Sequence, residues 1–253
     1  MLNSRRLPIL THRTLITIAT YNERENLPLL LELIFEHAPE VDVLVIDDNS
    51  PDGTGSWCDE YSSTDPRVHC LHRSGKLGLG TAILDGMRYA IEDGYDFVLN
   101  MDADLSHHPK HVPELIAGMH QGDNKVIDVM IGSRYIPGGG AENWPLLRHV
   151  MSRGVNVYTR IFLGLSPRDC SGSYRCYRVE LLRKLDFDSV VARGYAFQEE
   201  ILWHLKRAGA RFGETPIVFV DRIHGQSKID ARETGAAIWR IFALGMRNWF
   251  GPR

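Results

Sequence analysis

A chain of 253 residues with 43% hydrophobic and 24% charged residues has ordinary globular composition, which excludes disorder and fits one α/β domain. The formal net charge of -3 gives no global reason to expect nucleic acid as a partner, so any anion binding must come from local clustering. Cys58, Cys70, Cys170 and Cys176 form no C-x-x-C pair and no spacing typical of zinc, which predicts a reduced, cytosolic chain with incidental thiols. The apolar run at residues 7–10 is too short for a signal peptide, and no stretch approaches the ~18 apolar residues that span a bilayer. Any membrane contact is therefore expected to be peripheral.

In chain order, TLITIAT (14–20) reads as a buried strand, with Asn22 placed to cap a helix over about 24–37. VDVLVID (41–47) is a second β-branched run, stopped by the turn formers of DDNSPDGTG. A helix from about Thr54, a short strand at 68–72 and a Gly-rich opening to a helix at 79–92 follow. FVLNM (97–101) and VIDVMIGS (126–133) are further strands, separated by a helix that begins near Pro109. After about residue 140 come two amphipathic helical stretches, 145–163 and 231–249, around an irregular middle.

This alternation predicts an α/β fold with a mainly parallel central sheet and helices on both faces. Ligands of such sheets bind beyond the carboxyl ends of the strands. TYNE, DDNS, DAD and GSR all sit at those ends, and four polar loops at one edge look like a site.

Asp102-Ala103-Asp104 offers two carboxylates to one hard cation, Mg2+ or Mn2+, shared with substrate phosphate oxygens. The same residues also suit an Asp-capped turn before a helix, and both readings can hold together. His107 and His108 are adjacent, which disfavours joint ligation and predicts surface histidines. Asp48 and Glu23 could accept from ribose hydroxyls or base N–H groups, and Tyr21 could give a nucleoside ring a flat face. Neither G-x-G-x-x-G after the first strand nor a P-loop motif occurs, which counts against dinucleotide enzymes and P-loop phosphate handling. Arg134, Arg148, Arg153, Arg175, Arg222 and Lys228 would bind a phosphate or pyrophosphate if they converge; singly, each reads equally well as a solvated surface group.

Taken in order, TYNERENL, DDNSPDGT, KLGLGTA, MDADLSHHP, GSRYIPGGG with ENW, DCSGSYRCY, GYAFQEE and GQSK resemble the polyprenyl-phosphate (dolichyl-phosphate) mannose synthases over about 14–230. These are inverting glycosyltransferases of the glycosyltransferase-A, nucleotide-diphospho-sugar transferase fold. The resemblance implies transfer of mannose from GDP-mannose to a polyprenyl phosphate, giving a β-linked product. It also implies one domain, with 14–140 binding nucleotide sugar and 141–253 facing acceptor and membrane. Ala19, Tyr21, Glu23, Ile46 and Asp48 would line the nucleoside pocket. Asp102, Ala103 and Asp104 would hold the donor, with Asp104 the principal ligand of Mg2+ or Mn2+ and Asp102 nearer the sugar. Arg134 would touch donor and acceptor phosphate, Arg148 and Ser152 would grip the lipid phosphate, and Arg222 and Lys228 would close over the donor.

Two departures stand out: Ala19 where relatives often have proline, and Ser106 where some place a metal-binding glutamine. Gln198 and Glu200 match the F-Q-x-E motif. No general base is assigned, because a phosphomonoester is already anionic at pH 7 and attacks without surrendering a proton. A lipid acceptor also implies a membrane surface, reached peripherally on its cytosolic face or through a small membrane subunit. The rival readings are a UDP-sugar transferase on the same lipid class and a non-catalytic nucleotide-sugar-binding subunit. The latter would be expected to lose Asp102, Asp104 or Arg134.

Overall fold

A computed structural model describes residues 12–120, 126–192, 194, 196–221 and 231–250. Its first half runs β1 (Thr14–Thr20), α1 (Leu27–His37), β2 (Asp42–Asp47), α2 (Thr54–Ser62), β3 (Val68–His72), α3 (Leu79–Glu92), β4 (Phe97–Asp102), α4 (Val112–Gly118) and β5 (Val129–Ser133). Then come β6 (Gly140–Glu142), α5 (Leu146–Leu163), β7 (Arg175–Arg178), α6 (Val179–Leu182), α7 (Phe197–Arg207), β8 (Phe212–Pro216), β9 (Val218–Val220) and α8 (Ala231–Phe250).

Seven strands form one sheet in the order β3-β2-β1-β4-β7-β5-β8. All its pairings are parallel except those of β7, which runs antiparallel between β4 and β5. The two-residue side-chain period explains why helices cover both faces. Leu15 and Leu44 join a cluster with Ala82, Met87, Phe197 and Ile201. Their alternates Ile16, Ile18, Val43 and Val45 pack on the other face against Leu30, Ile34, Leu115 and Ile116. The predicted α/β architecture is therefore present.

The local differences have physical causes. The first helix begins at Leu27 with Pro28 in its opening turn, and Asn22 does not cap it. Asn22 instead adopts φ 62°, and its backbone N–H donates to Ser50 Oγ at 3.0 Å, joining the loops after β1 and β2. The middle of the chain is not irregular either. Its RCYR strand is too short to show periodicity, yet it is an interior strand of the sheet, between β4 and β5.

α5 and α8 pack on each other at the carboxyl end. Trp249 Nε1 donates to the Phe162 carbonyl at 3.0 Å, and Tyr158 Oη donates to that of Ile238 at 3.3 Å. A Cβ at Gly245 would come within 3.0 Å of Phe162, so glycine permits this close crossing. Among the described residues no helix is long and apolar enough to cross a membrane.

Candidate active site

The loops after β1 and β2 are tied together by Asp47. Its carboxylate accepts from Thr20 Oγ1 at 3.0 Å and from Ser50 Oγ and backbone N–H at 2.5 and 3.0 Å. Asp48 is thereby presented at the strand end, where it pairs with Arg73 at 2.6 Å. Burial raises the Asp48 pKa despite this cation, so its ionised form depends on the arginine. Arg73 also pairs with Asp85, and sequence reading passed it over. Tyr21 is half exposed, with the Lys76 ammonium 4.5 Å from its ring centroid, a flat surface open to a ligand. Glu23 accepts from Asn26 Nδ2 at 2.7 Å. Ala19 is partly buried, whereas Ile46 lies in the core and meets the loop through its carbonyl, which accepts from Thr20 Oγ1.

At the end of β4 the Asp-Ala-Asp segment is both a turn and an all-oxygen donor set. Asp104 Oδ1 accepts from Ser106 Oγ at 2.5 Å and from its backbone N–H at 3.1 Å, while Leu105 sits at φ 62°. Asp102 Oδ1 accepts from Ser173 Oγ at 2.9 Å. Carboxylate oxygens of this kind suit a hard divalent cation such as Mg2+ or Mn2+. Ser106 is buried and holds Asp104 in place through that hydrogen bond.

The histidines differ from expectation. His107 is buried, stacked on Tyr174 at 4.7 Å, and its Nδ1 accepts from the Asp102 backbone N–H at 3.1 Å. Burial lowers its pKa, and the neutral ring braces the turn that presents Asp102. His108 caps the short turn that precedes α4, accepting from the Lys110 N–H. Neither acts as an exposed, idle surface group.

A cavity of about 340 Å³ brings Asp102, Arg134, Arg148 and Ser152 together, with Met151, Val155, Ile238 and Ile241 supplying apolar wall. Arg148 and Ser152 share one face of α5 because they are four residues apart. Arg134 is clamped by Asp169, Nε to Oδ2 at 2.7 Å and Nη2 to Oδ1 at 2.8 Å, and Nη2 also donates to Ser171 Oγ at 2.9 Å. Burial opposes ionisation of Asp169, but the arginine prevails and holds its carboxyl below the ordinary range. Arg148 donates to Asp221 at 2.6 Å and lies 4.3 Å from the Trp144 ring centroid. Ser152 Oγ accepts from Tyr135 Oη at 2.6 Å.

The other predicted cations separate. Arg175 is fully buried, donating to the carbonyls of Gln198 and Cys170 at 2.8 and 2.6 Å. It holds β7 to its neighbours and is not a phosphate ligand. Arg153 lines a different hollow with Tyr135, Arg160 and Arg168. Arg222 and Lys228 lie outside the described residues. Tyr21, Glu23 and Asp48 are absent from the lining of the cavity that holds Arg134 and lie at or just beyond the ends of β1 and β2.

Besides Arg73, three further candidates escaped sequence reading. Asp169 and Asn156 are the first two. Asn156 Oδ1 accepts from the backbone N–H groups of Cys170 and Ser171 at 2.6 and 3.2 Å, fastening that loop to α5. The third is Glu199, which is buried, lines the cavity, and has an Oε2 without a hydrogen-bond partner among the described residues. Burial pushes its pKa up to about 7. Glu200, the residue of the sequence motif, faces elsewhere. It accepts from the Val191 and Ala192 N–H groups and pairs with Arg240, which fastens α8 to the body. These hydrogen bonds outweigh burial and lower its pKa to about 2. Helical spacing explains the split: adjacent residues on α7 point about 100° apart.

Residues 15–186 match the glycosyl transferase family 2 profile. The undecaprenyl-phosphate mannosyltransferase of Micrococcus luteus is 43% identical over 242 residues, covering 95% of this chain and 98% of that protein. The polyprenol monophosphomannose synthase of Mycolicibacterium smegmatis is 42% identical over 239 residues, 94% of this chain and 89% of that protein. Among solved structures, glucosyl-3-phosphoglycerate synthase from Mycobacterium tuberculosis with Mn2+, UDP and phosphoglyceric acid aligns at TM-score 0.64 and 18% identity, covering 96% of this chain and 80% of that one. A mannosyltransferase from Pyrobaculum calidifontis with GDP-Man and Mn2+ aligns at TM-score 0.63 and 18% identity, covering 95% and 66%. At that identity these two likenesses concern the fold.

Proposed function

Because this chain belongs to glycosyl transferase family 2, we propose that it transfers mannose from GDP-mannose to a polyprenyl phosphate with inversion, giving a β-linked lipid phosphate sugar. The observation that carries the reading is the meeting of Asp102 with Arg134, Arg148 and Ser152 in a cavity whose remaining wall is apolar. A phosphate headgroup with a hydrocarbon tail requires that combination. The names of the two bacterial relatives support both the sugar and the acceptor class.

The residues divide the work. Tyr21, Glu23 and Asp48 with its Arg73 partner receive the nucleoside at the ends of β1 and β2. Ala19, Ile46 and Ala103 are assigned to the donor by resemblance; Ile46 and Ala103 are themselves buried. Asp102 and Asp104 would hold Mg2+ or Mn2+, which neutralises charge on the departing nucleoside diphosphate. The Mn2+ named for both solved relatives supports a divalent ion without deciding which. Arg134, fixed in direction by Asp169, is assigned to the donor and acceptor phosphates. Arg148 and Ser152 hold the acceptor phosphate so that its oxygen attacks the anomeric carbon opposite the leaving group. An already anionic nucleophile needs no general base, and Glu200 is committed to Arg240. Arg222 and Lys228 are assigned by resemblance to close over the donor.

In one catalytic unit, residues 14–140 would serve the donor and 141–253 the acceptor and the membrane. Leu146, Leu147, Val150 and Ile161 on α5, and Trp239, Trp249 and Phe250 on α8, are exposed. Apolar and aromatic faces flanked by Arg153, Arg160 and Arg247 suit the headgroup layer. The four unpaired cysteines fit a reducing, cytosolic face. A small membrane subunit is the other occupant these helices could receive.

The test supplies purified protein with short-chain polyprenyl phosphate, Mg2+ or Mn2+, and GDP-mannose, UDP-glucose or UDP-N-acetylglucosamine in parallel, with lipid products read by mass spectrometry. Hexosyl-phosphate lipid from GDP-mannose alone is expected. Product from a UDP sugar alone would replace the donor, and nucleotide binding without turnover would favour a non-catalytic subunit.

A further inference from the structure

Away from the cavity beside Arg134, β3 and α2 gather three unlike metal donors. Alternation along β3 sets Cys70 and His72 on one strand face, and α2 packs against that strand with Asp59. Asp59 Oδ1 lies 2.9 Å from His72 Nε2, and one ligand atom from each of Asp59, Cys70 and His72 lies within 4.8 Å of the others. Gly55 makes room for the ring: a Cβ there would stand 3.0 Å from His72 Cε1 and 2.9 Å from Asp47 Oδ2. Asp59 and His72 are exposed and Cys70 is half-buried, so an ion could enter from solvent and retain a water.

We propose that Asp59, Cys70 and His72 form a second metal site, selective for a borderline-soft divalent cation, Zn2+ foremost, with water as the fourth ligand. Thiolate and imidazole ligands favour zinc, whereas the all-oxygen Asp102–Asp104 pair favours Mg2+ or Mn2+. Tetrahedral zinc bonds of ~2.0 Å to nitrogen and oxygen and ~2.3 Å to sulfur put ligand atoms roughly 3.3–3.7 Å apart. The Asp59–His72 pair therefore opens by a few tenths of an ångström, and the sulfur closes by about 1 Å at most. The Asp59–His72 hydrogen bond already holds carboxylate and imidazole facing each other across the helix–strand seam. Sequence spacing hid the site because its third ligand comes from a separate element.

The site has a structural consequence near the donor region. His72 ends β3, the next residue is Arg73, and Arg73 N–H donates to the Asp47 carbonyl at 2.8 Å while its side chain pairs with Asp48. An ion joining α2 to the end of β3 would anchor the strand end that supplies this arginine. The metal site itself does not depend on the proposed transfer reaction.

The experiment titrates Co2+ into chelator-treated full-length protein and follows thiolate-to-cobalt charge transfer in the near ultraviolet. Wild type and Asp104→Ala are expected to give the band and to saturate at about one thiolate-bound ion per chain. Zn2+ should displace that ion. Cys70→Ser should abolish the band, and His72→Ala and Asp59→Asn should each weaken binding at least ~10-fold. No thiolate band in the wild type, or one that survives Cys70→Ser, overturns the proposal whatever the variants' stability.

Discussion

Arg134 and Asp169 face each other as a fork, with paired contacts of 2.7 and 2.8 Å and the carboxylate fully buried. A third contact, from the Arg134 backbone N–H to Asp169 Oδ2 at 3.0 Å, fixes the residue at both ends. The arginine proposed to meet the phosphates is therefore aimed by a residue 35 positions later in the chain.

Removing that aim should be costly. Asp169→Ala is expected to destabilise the fold by about 3 kcal/mol, since it strands a largely buried cation. It should also lower kcat/KM at least ~100-fold through misplacement of Arg134. Urea unfolding and steady-state kinetics check the two effects. The depressed Asp169 pKa sets the sign with pH: its stabilisation is present above the ordinary carboxylate value and lost as pH falls through the depressed one. Acidification should therefore shrink the difference between wild type and variant.

Glu199 predicts the opposite pH trend. Its pKa is raised to about 7, so the folded state holds a proton that the unfolded chain releases near the ordinary 4.5. Stability should fall as pH rises between those values and level off above about 7. Glu199→Gln keeps the shape and removes the titration. At pH ~8 it should be more stable than wild type by about 3 kcal/mol, with the gap closing below pH ~4.5. Equilibrium unfolding across pH tests this, and a constant difference would contradict the protonated, buried carboxyl.

The two phosphate roles should separate kinetically. Arg148→Ala is expected to raise the KM for lipid phosphate roughly tenfold, the value of one lost charge-assisted hydrogen bond, while leaving the KM for GDP-mannose unchanged. Asp104→Ala should abolish turnover, and chelation of wild type should do so reversibly. Kinetics with each substrate varied in turn distinguish the cases.

The exposed helix faces predict membrane partition without loss of fold. Leu146 and Phe250 are each 79% exposed. Replacing both with serine should weaken binding to anionic vesicles about tenfold or more, from the apolar area withdrawn from the bilayer. Vesicle co-sedimentation measures it, and unchanged sedimentation would point to a protein partner on this face.

Much of the architecture was readable because periodicity and turn chemistry agree over β1, β2, β4 and β5. Strand β7 was not, because four residues beginning and ending in arginine show no alternation, and its antiparallel insertion is decided by the sheet. The Asp102–Asp104 turn, Arg134, Arg148 and Ser152 could be named from local motifs, and three-dimensional proximity joins Asp102 to Arg134, Arg148 and Ser152. Partners distant in sequence stayed hidden: Asp169 for Arg134, Arg73 for Asp48, Tyr135 for Ser152. Arg175 misled because a basic residue in a polar loop motif reads as a ligand, whereas its carbonyl partners hold it in the core. His107 misled likewise, since only the fold supplies Tyr174 to cover it.

The most direct test offers the protein GDP-mannose with either polyprenyl phosphate or the corresponding free polyprenol, in the same detergent and with the same divalent ion. Mannosyl lipid is expected from the phosphate alone, sharply reduced by Arg148→Ala, if the cavity orients an anion that needs no base. Mannosylation of the alcohol at a comparable rate would contradict it.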